Sequence, residues 1–155
     1  MKASVNGVTL YYEDEGAGTP LLLIHGFPLS SGIWRQQMDG LKKDFRIIAP
    51  DLRGFGGSDA PSSGYSMDSY ADDIAALMDH LCLESAVVCG MSMGGYVLLN
   101  LLDRYPGRVR GACFMVTRGG ADDEAGKVRR TALAAEVTKS GVKVTADLFG
   151  KILFA

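Results

Sequence analysis

Three short apolar runs constrain this chain more than anything else in it: PLLLIHG at 20–26, FRIIAPD at 45–51 and SAVVCG at 85–90. Each is too short for a helix, lacks the alternation of a half-solvated strand, and ends in Gly, Pro or Asp, as a strand buried on both faces does. Between them lie stretches with helical spacing. One runs around Ile33 to Leu41, and another from Ser69 to Leu81 places Ile74, Leu77, Met78 and Leu81 on one face with acidic residues near its start. Before the first run, Asn6-Gly7 separates two groups of β-formers and predicts an antiparallel hairpin. Strand and helix in alternation after a hairpin predict an α/β fold, a mostly parallel sheet with helices on both faces. Ligands bind such sheets at the carboxyl ends of the strands, which directs attention to the loops after Ile24, Ala49 and Cys89.

Met93 to Arg104 carries Tyr96, Val97, Leu99, Leu101 and Leu102, a density that predicts a central, largely buried helix. RVRGACFMV at 108–116 is a sixth strand candidate. Beyond it, Thr117 to Ala155 is charged, Ala-rich and helical in pattern, and the break at Ser140-Gly141 predicts a helical hairpin.

Composition excludes several functions. The 155 residues suffice for one domain with a core, and 16 Lys and Arg against 18 Asp and Glu give no basic surface for nucleic acid or anionic lipid. No apolar run approaches the length that spans a bilayer, and MKASVNGVTLYYEDEG has no signal-peptide core, so the N-terminus reads as mature. Cys82, Cys89 and Cys113 lie within or beside apolar stretches, form no CxxC pair, and read as small hydrophobes in a reducing cytoplasm. No metal and no cofactor is expected.

The sharpest chemical signal is Gly90-Met91-Ser92-Met93-Gly94, followed by Gly95, between a β-branched strand and an apolar helix. Glycines there remove the Cβ atoms that would clash in a tight strand-to-helix turn, and the turn pushes the serine hydroxyl out beside the positive end of the helix. A Ser helix cap on a Gly-rich turn is the plain alternative. Directly after the first buried run comes His25-Gly26-Phe27-Pro28, and after the second comes DLRGFGGSD at 51–59.

These motifs, in this order, resemble the α/β-hydrolase superfamily over nearly all of Met1 to Val116. The resemblance implies that GMSMGG is the nucleophile elbow with Ser92 as nucleophile, that HGFP is the oxyanion loop, and that the backbone N–H groups of Phe27 and Met93 hold the oxyanion. It also makes residues 117–155 the start of a helical lid and 1–116 the N-terminal part of the core. HGFP is similar to loops of epoxide hydrolases and haloalkane dehalogenases, but those relatives place Asp at the elbow. Ser92 points instead to carboxylesterases, enol-lactone hydrolases, carbon–carbon bond hydrolases and cofactor-free perhydrolases, which share an acyl-enzyme.

The other polar candidates read as structural. His25 orients its loop through a backbone hydrogen bond, His80 is a surface residue at a helix end, Asp51, Arg53 and Asp59 brace a Gly-rich turn, and Trp34 packs. In the superfamily the chain order is Ser, then Asp or Glu, then His. No histidine follows Ser92, and Asp122 and Asp123, nominally eligible as the acid, look like helix-capping residues. The resemblance therefore implies a chain ending inside the lid without its last strands, acid or base, and a homodimer would bring only further copies of His25 and His80. The expected partners are a small ester or lactone substrate and either self-association or a complementing C-terminal fragment at the sixth-strand edge, whose Ala112, Phe114 and Val116 alternate with Cys113 and Met115. The competing expectation is a non-catalytic truncated hydrolase fold that binds a small apolar ligand or a complementing chain. A nucleotide site is disfavoured because GMSMGG lacks the middle glycine of GxGxxG and no P-loop Lys is present.

Overall fold

The computed structural model describes residues 1–153. It falls into two units, Met1–Arg118 and the residues from Gly119 onward.

The first unit is a six-stranded sheet with helices on both faces. Its strands are β1 (Lys2–Val5), β2 (Val8–Gly16), β3 (Thr19–Ile24), β4 (Phe45–Pro50), β5 (Ala86–Met91) and β6 (Val109–Met115), in the order β1-β2-β4-β3-β5-β6. Pairs β1–β2 and β2–β4 are antiparallel, whereas β3–β4, β3–β5 and β5–β6 are parallel. Asn6 and Gly7, at φ 46° and 77°, make the hairpin turn, which needs left-handed backbone at both central positions.

Helix α1 (Arg35–Leu41) follows a 3-10 turn over Ser31–Trp34, so the helix expected from Ile33 begins as a tighter coil. Helix α2 (Met67–His80) starts two residues earlier than its apolar spacing suggests. Ser66 and Ser69 form a reciprocal capping box that satisfies the first amides. Helix α3 (Met93–Arg104) packs against α2 and β5.

The core has two layers. Leu22, Ile24, Ile48 and Val88 meet Ile74, Leu77 and Met78 of α2 and Val97, Leu98 and Leu101 of α3 on one face. Leu23, Ile47, Ala49 and Cys89 pack with Trp34 and Met38 on the other. Alternate residues of β3, β4 and β5 thus serve both layers, which is why their sequences are continuously apolar.

Two expectations need correction. Helix α3 is buried on one side only: Leu99 is 40% exposed, because the residues against which α3 packs all lie on the side of Val97, Leu98 and Leu101. Of the three cysteines only Cys89 is a buried hydrophobe. Cys82 occupies a left-handed position (φ 55°) after α2, and Cys113 lies on the edge strand β6, so both are exposed.

The second unit is a helical hairpin, α4 (Glu124–Ser140) and α5 (Lys143–Leu153), broken at Gly141 with φ 81°. The last two positions of the hairpin expected to reach Ala155 lie outside the described residues. Asp123 accepts from the Gly126 amide at 2.7 Å and caps α4, and Asp122 pairs with Arg130. Among the described residues no helix is long and apolar enough to cross a membrane.

Gly40 lies inside α1, where an added methyl would meet nothing within 4 Å and φ is ordinarily helical. Gly40→Ala should therefore stabilise the fold by about 0.5–1 kcal/mol, through a less flexible unfolded chain. Urea denaturation checks it, and a loss of stability would show that α1 does not tolerate the methyl.

Candidate active site

The carboxyl ends of β3, β4 and β5 bring three loops to one edge of the sheet. Ser92 stands where β5 turns into α3, with φ 51° and ψ −114°, a conformation that side chains other than Gly rarely adopt. The surroundings enforce it. Its amide donates to Met115 O at 2.9 Å, and its carbonyl accepts from Gly95 N at 3.0 Å and Thr117 Oγ1 at 2.9 Å. A methyl on Gly90 would enter the Gly94 carbonyl, and one on Gly94 would enter the Ile24 carbonyl, so the turn closes only with glycine at both places.

The plain reading of Ser92 as a helix cap does not hold. Ser92 occupies the cap position, yet its side chain makes no capping hydrogen bond. Met93 is the first residue of α3, where backbone N–H groups have no intrahelical acceptor and the helix dipole is positive. The elbow thus presents a hydroxyl unused by its own helix beside amides that favour negative charge.

The loop after β3 lies directly against it. A Cβ at Gly26 would stand 3.0 Å from Ser92 Cβ and 3.0 Å from Met91 O, so the glycine lets His25-Gly26-Phe27-Pro28 approach the elbow. The Phe27–Pro28 peptide is cis, and the Phe27 ring, 40% exposed, meets Phe55 edge-on with centroids 6.0 Å apart.

His25 is fully buried and held at both nitrogens. Nδ1 lies 3.0 Å from Gly26 O, and Nε2 accepts from Leu52 N at 3.0 Å, which makes the ring the neutral tautomer protonated at Nδ1. Burial pushes its pKa below the ordinary histidine value, against the smaller opposing pull of Gly26 O and Asp51. The unfolded chain then binds more protons than the folded one below about pH 6.5, so His25 contributes stability that is present above that pH and lost on acidification. Unfolding free energy should fall by up to about 1.4 kcal/mol per pH unit from this group as pH drops below about 6.5. Urea titrations of the wild type against His25→Gln between pH 5 and 7 test this, and identical slopes would refute it.

The loop after β4 is braced by the buried Asp51 and Arg53 and by the exposed Asp59. Asp51 accepts from Ser31 N at 2.6 Å and Gly57 N at 2.7 Å, tying the two neighbouring loops together. Asp59 accepts from Thr9 N at 2.8 Å. Arg53 donates to Asp73 from Nε at 2.6 Å and again from Nη2, and to Gly64 O at 3.0 Å. His80 is exposed at the end of α2, which leads into the start of β5 and so stands at the sheet edge opposite Ser92. Trp34 is buried in the second core layer.

Sequence reasoning missed Asp73 and Thr117. Asp73 is an acid on the buried stripe of α2, between Tyr70 and Leu77, and an acid in such a stripe signals a buried cation to match it. Thr117 had no comparable signal, since its role follows from where β6 ends.

The sequence pattern of the alpha/beta hydrolase fold matches residues 19–144. The chain is 45% identical over 101 residues to the AB hydrolase superfamily protein YisY of Bacillus subtilis (strain 168), covering 64% of this chain and 38% of that protein. A thermophilic esterase from Thermogutta terrifontis superimposes with a TM-score of 0.88 at 37% identity, over 95% of this chain and 56% of that one. The enol-lactonase from Burkholderia xenovorans LB400 gives 0.86 at 29% identity, over 96% and 58%. The chain therefore spans between about two fifths and three fifths of the length of these relatives. With the elbow, the loop seated against it and the sheet order all in agreement, the chain belongs to the α/β-hydrolase fold family.

Proposed function

We propose that the chain carries the nucleophile and the oxyanion donors of a serine hydrolase acting on carboxylic esters or lactones. The observation that carries this reading is the left-handed Ser92, whose hydroxyl is not spent on capping α3 although it stands at the cap position. Ser92 Oγ attacks the substrate carbonyl, and the N–H groups of Phe27 and Met93 hold the oxyanion. The bond to the alcohol breaks to leave an acyl-enzyme, which water then hydrolyses. The esterase and the enol-lactonase among the similar structures support ester and lactone carbonyls as the substrate class.

Attack requires an acceptor for the Ser92 proton. His25 is spent at both nitrogens and His80 stands at the far sheet edge, so neither serves. The reading therefore needs a histidine, and the acid that orients it, supplied to Ser92 from outside residues 1–155. Strand β6 offers the place: it is the sheet edge, with Phe114, Met115 and Val116 exposed, and a complementing C-terminal segment or a second copy pairs along it. A second copy would cover the edge without supplying the base. The helical segment after Val116 reads as the start of a lid, and the three thiols suit a reducing cytoplasm.

A fluorophosphonate probe with peptide mapping tests the nucleophile. With a base-bearing segment added, the label is expected on the peptide containing Ser92 and absent in Ser92→Ala, and turnover of a short acyl ester is expected to accompany it. Label elsewhere, or equal ester turnover by Ser92→Ala and wild type, would sink the proposal. The latter result favours the second reading, a non-catalytic fold that binds a small apolar ligand or a complementing chain, for which the engaged His25 and the open β6 edge speak.

A further inference from the structure

Beneath the elbow, β5 and β6 place sulfur opposite sulfur. Their parallel register pairs Cys89 with Cys113 and Met91 with Met115, and because alternate residues share a face, all four side chains stand on one side of the sheet. Two of the sulfurs are already in contact: Cys89 Sγ lies 3.3 Å from Met115 Sδ, and Cys113 stands in register beside Cys89 on the neighbouring strand. Cys89 is buried against Trp34 and Met38, whereas Cys113 and Met115 are exposed, so the cluster is closed below and open to solvent above.

We propose that Cys89, Cys113 and Met115 form a binding site for a soft monovalent cation, Cu(I) or Ag(I), independent of the hydrolase chemistry. The ligand chemistry selects that class. Two thiols and a thioether offer soft sulfur only, which favours d10 monovalent ions over the divalent metals that imidazole and carboxylate hold. Among the described residues no group of three His, Cys, Asp or Glu side chains could hold such a divalent ion. The spacing fits as well: neighbouring strands lie about 4.8 Å apart, close to twice a metal–thiolate bond of about 2.3 Å, so one ion can bridge the in-register pair with little movement. Met115, diagonal to Cys89, supplies the third sulfur.

A soft cation displaces the thiol protons on binding. Each thiol that binds as thiolate releases one proton to solvent and no electron is transferred.

The test uses Ag(I), supplied as nitrate in chloride-free buffer, with the reduced chain carrying Cys82→Ser to remove the remaining thiol. Native mass spectrometry should find one Ag(I) retained per chain after desalting, and the ion should raise the melting temperature. Adding Cys113→Ser should abolish both effects while the far-ultraviolet circular dichroism stays unchanged. Met115→Leu, which keeps the side-chain volume, should raise the Ag(I) Kd roughly tenfold, the lower end of what metal sites lose when a supporting group is altered. No retained ion, two ions per chain, or retention unaffected by Cys113→Ser would overturn the shared site. Since none of these readouts involves ester turnover or Ser92 labelling, failure here is distinct from failure of the hydrolase reading.

Discussion

Asp73→Ala should destabilise the chain by about 3–5 kcal/mol, because it leaves the buried Arg53 guanidinium without its counter-charge. Asp73 is completely buried, Arg53 is 7% exposed, and their two-point contact is joined by Asn6 Nδ2, which donates to Asp73 at 2.7 Å. One carboxylate thus ties the β1–β2 hairpin turn, the loop after β4 and helix α2. Its loss strands a charge and an amide at once. The neighbouring Asp72 makes an instructive contrast: it binds Arg104 and Tyr105 at the surface, and Asp72→Ala should cost at most about 1 kcal/mol. Replacing both partners, as Arg53→Met with Asp73→Leu, should recover much of the loss, since an apolar pair leaves no charge unpaired. Urea denaturation of the four chains decides the matter. Equal costs for Asp72→Ala and Asp73→Ala would mean that the buried pair does not tie these three elements together.

The second large effect is expected at Gly94. A methyl there would enter the carbonyls of Ile24 and His25, backbone atoms of the strand and loop that seat the elbow, and no side-chain rotation can relieve it. Gly94→Ala should cost more than about 4 kcal/mol, the range reserved for substitutions with a specific structural fault. With the base-bearing segment present it should also remove fluorophosphonate labelling of Ser92, since α3 can no longer lie close to β3. Gly107→Ala, with nothing within 4 Å, should change stability by no more than about 0.5 kcal/mol. A Gly94→Ala chain that melts and labels like wild type would show that α3 can shift away from β3 without disturbing the turn.

Both effects bear on what could be read before the fold was known. The strands β3, β4 and β5 were legible because burial on both faces leaves an uninterrupted apolar run, and the elbow because only glycine satisfies its close approaches. Helix α3 was harder. The density of Leu99, Leu101 and Leu102 implies burial all round, but whether a neighbour covers a face is a tertiary fact, and the Leu99 side has none among the described residues. The cysteines misled for a related reason: an apolar run does not reveal that β6 is the sheet edge, so Cys113 gives no sign of its exposure. Asp73 was legible in principle from its place on the α2 stripe, whereas its partners Arg53 and Asn6, 20 and 67 residues away, could not be paired with it by spacing.

The strand order carries a consequence for how the chain assembles as it is made. The pairs β1–β2, β3–β4 and β5–β6 join strands consecutive in sequence, but β4 is made after β3 and lies between β2 and β3. The hairpin must therefore wait, with one side unpaired, until residue 50 has emerged, and β3 waits further for β5 on its other side. Such non-local pairing is slow, because each closure orders a long stretch of chain before the contacts form. The elbow is later still, since the Ser92 amide finds its acceptor only when Met115 arrives, and the strained backbone at Ser92 is fixed only then.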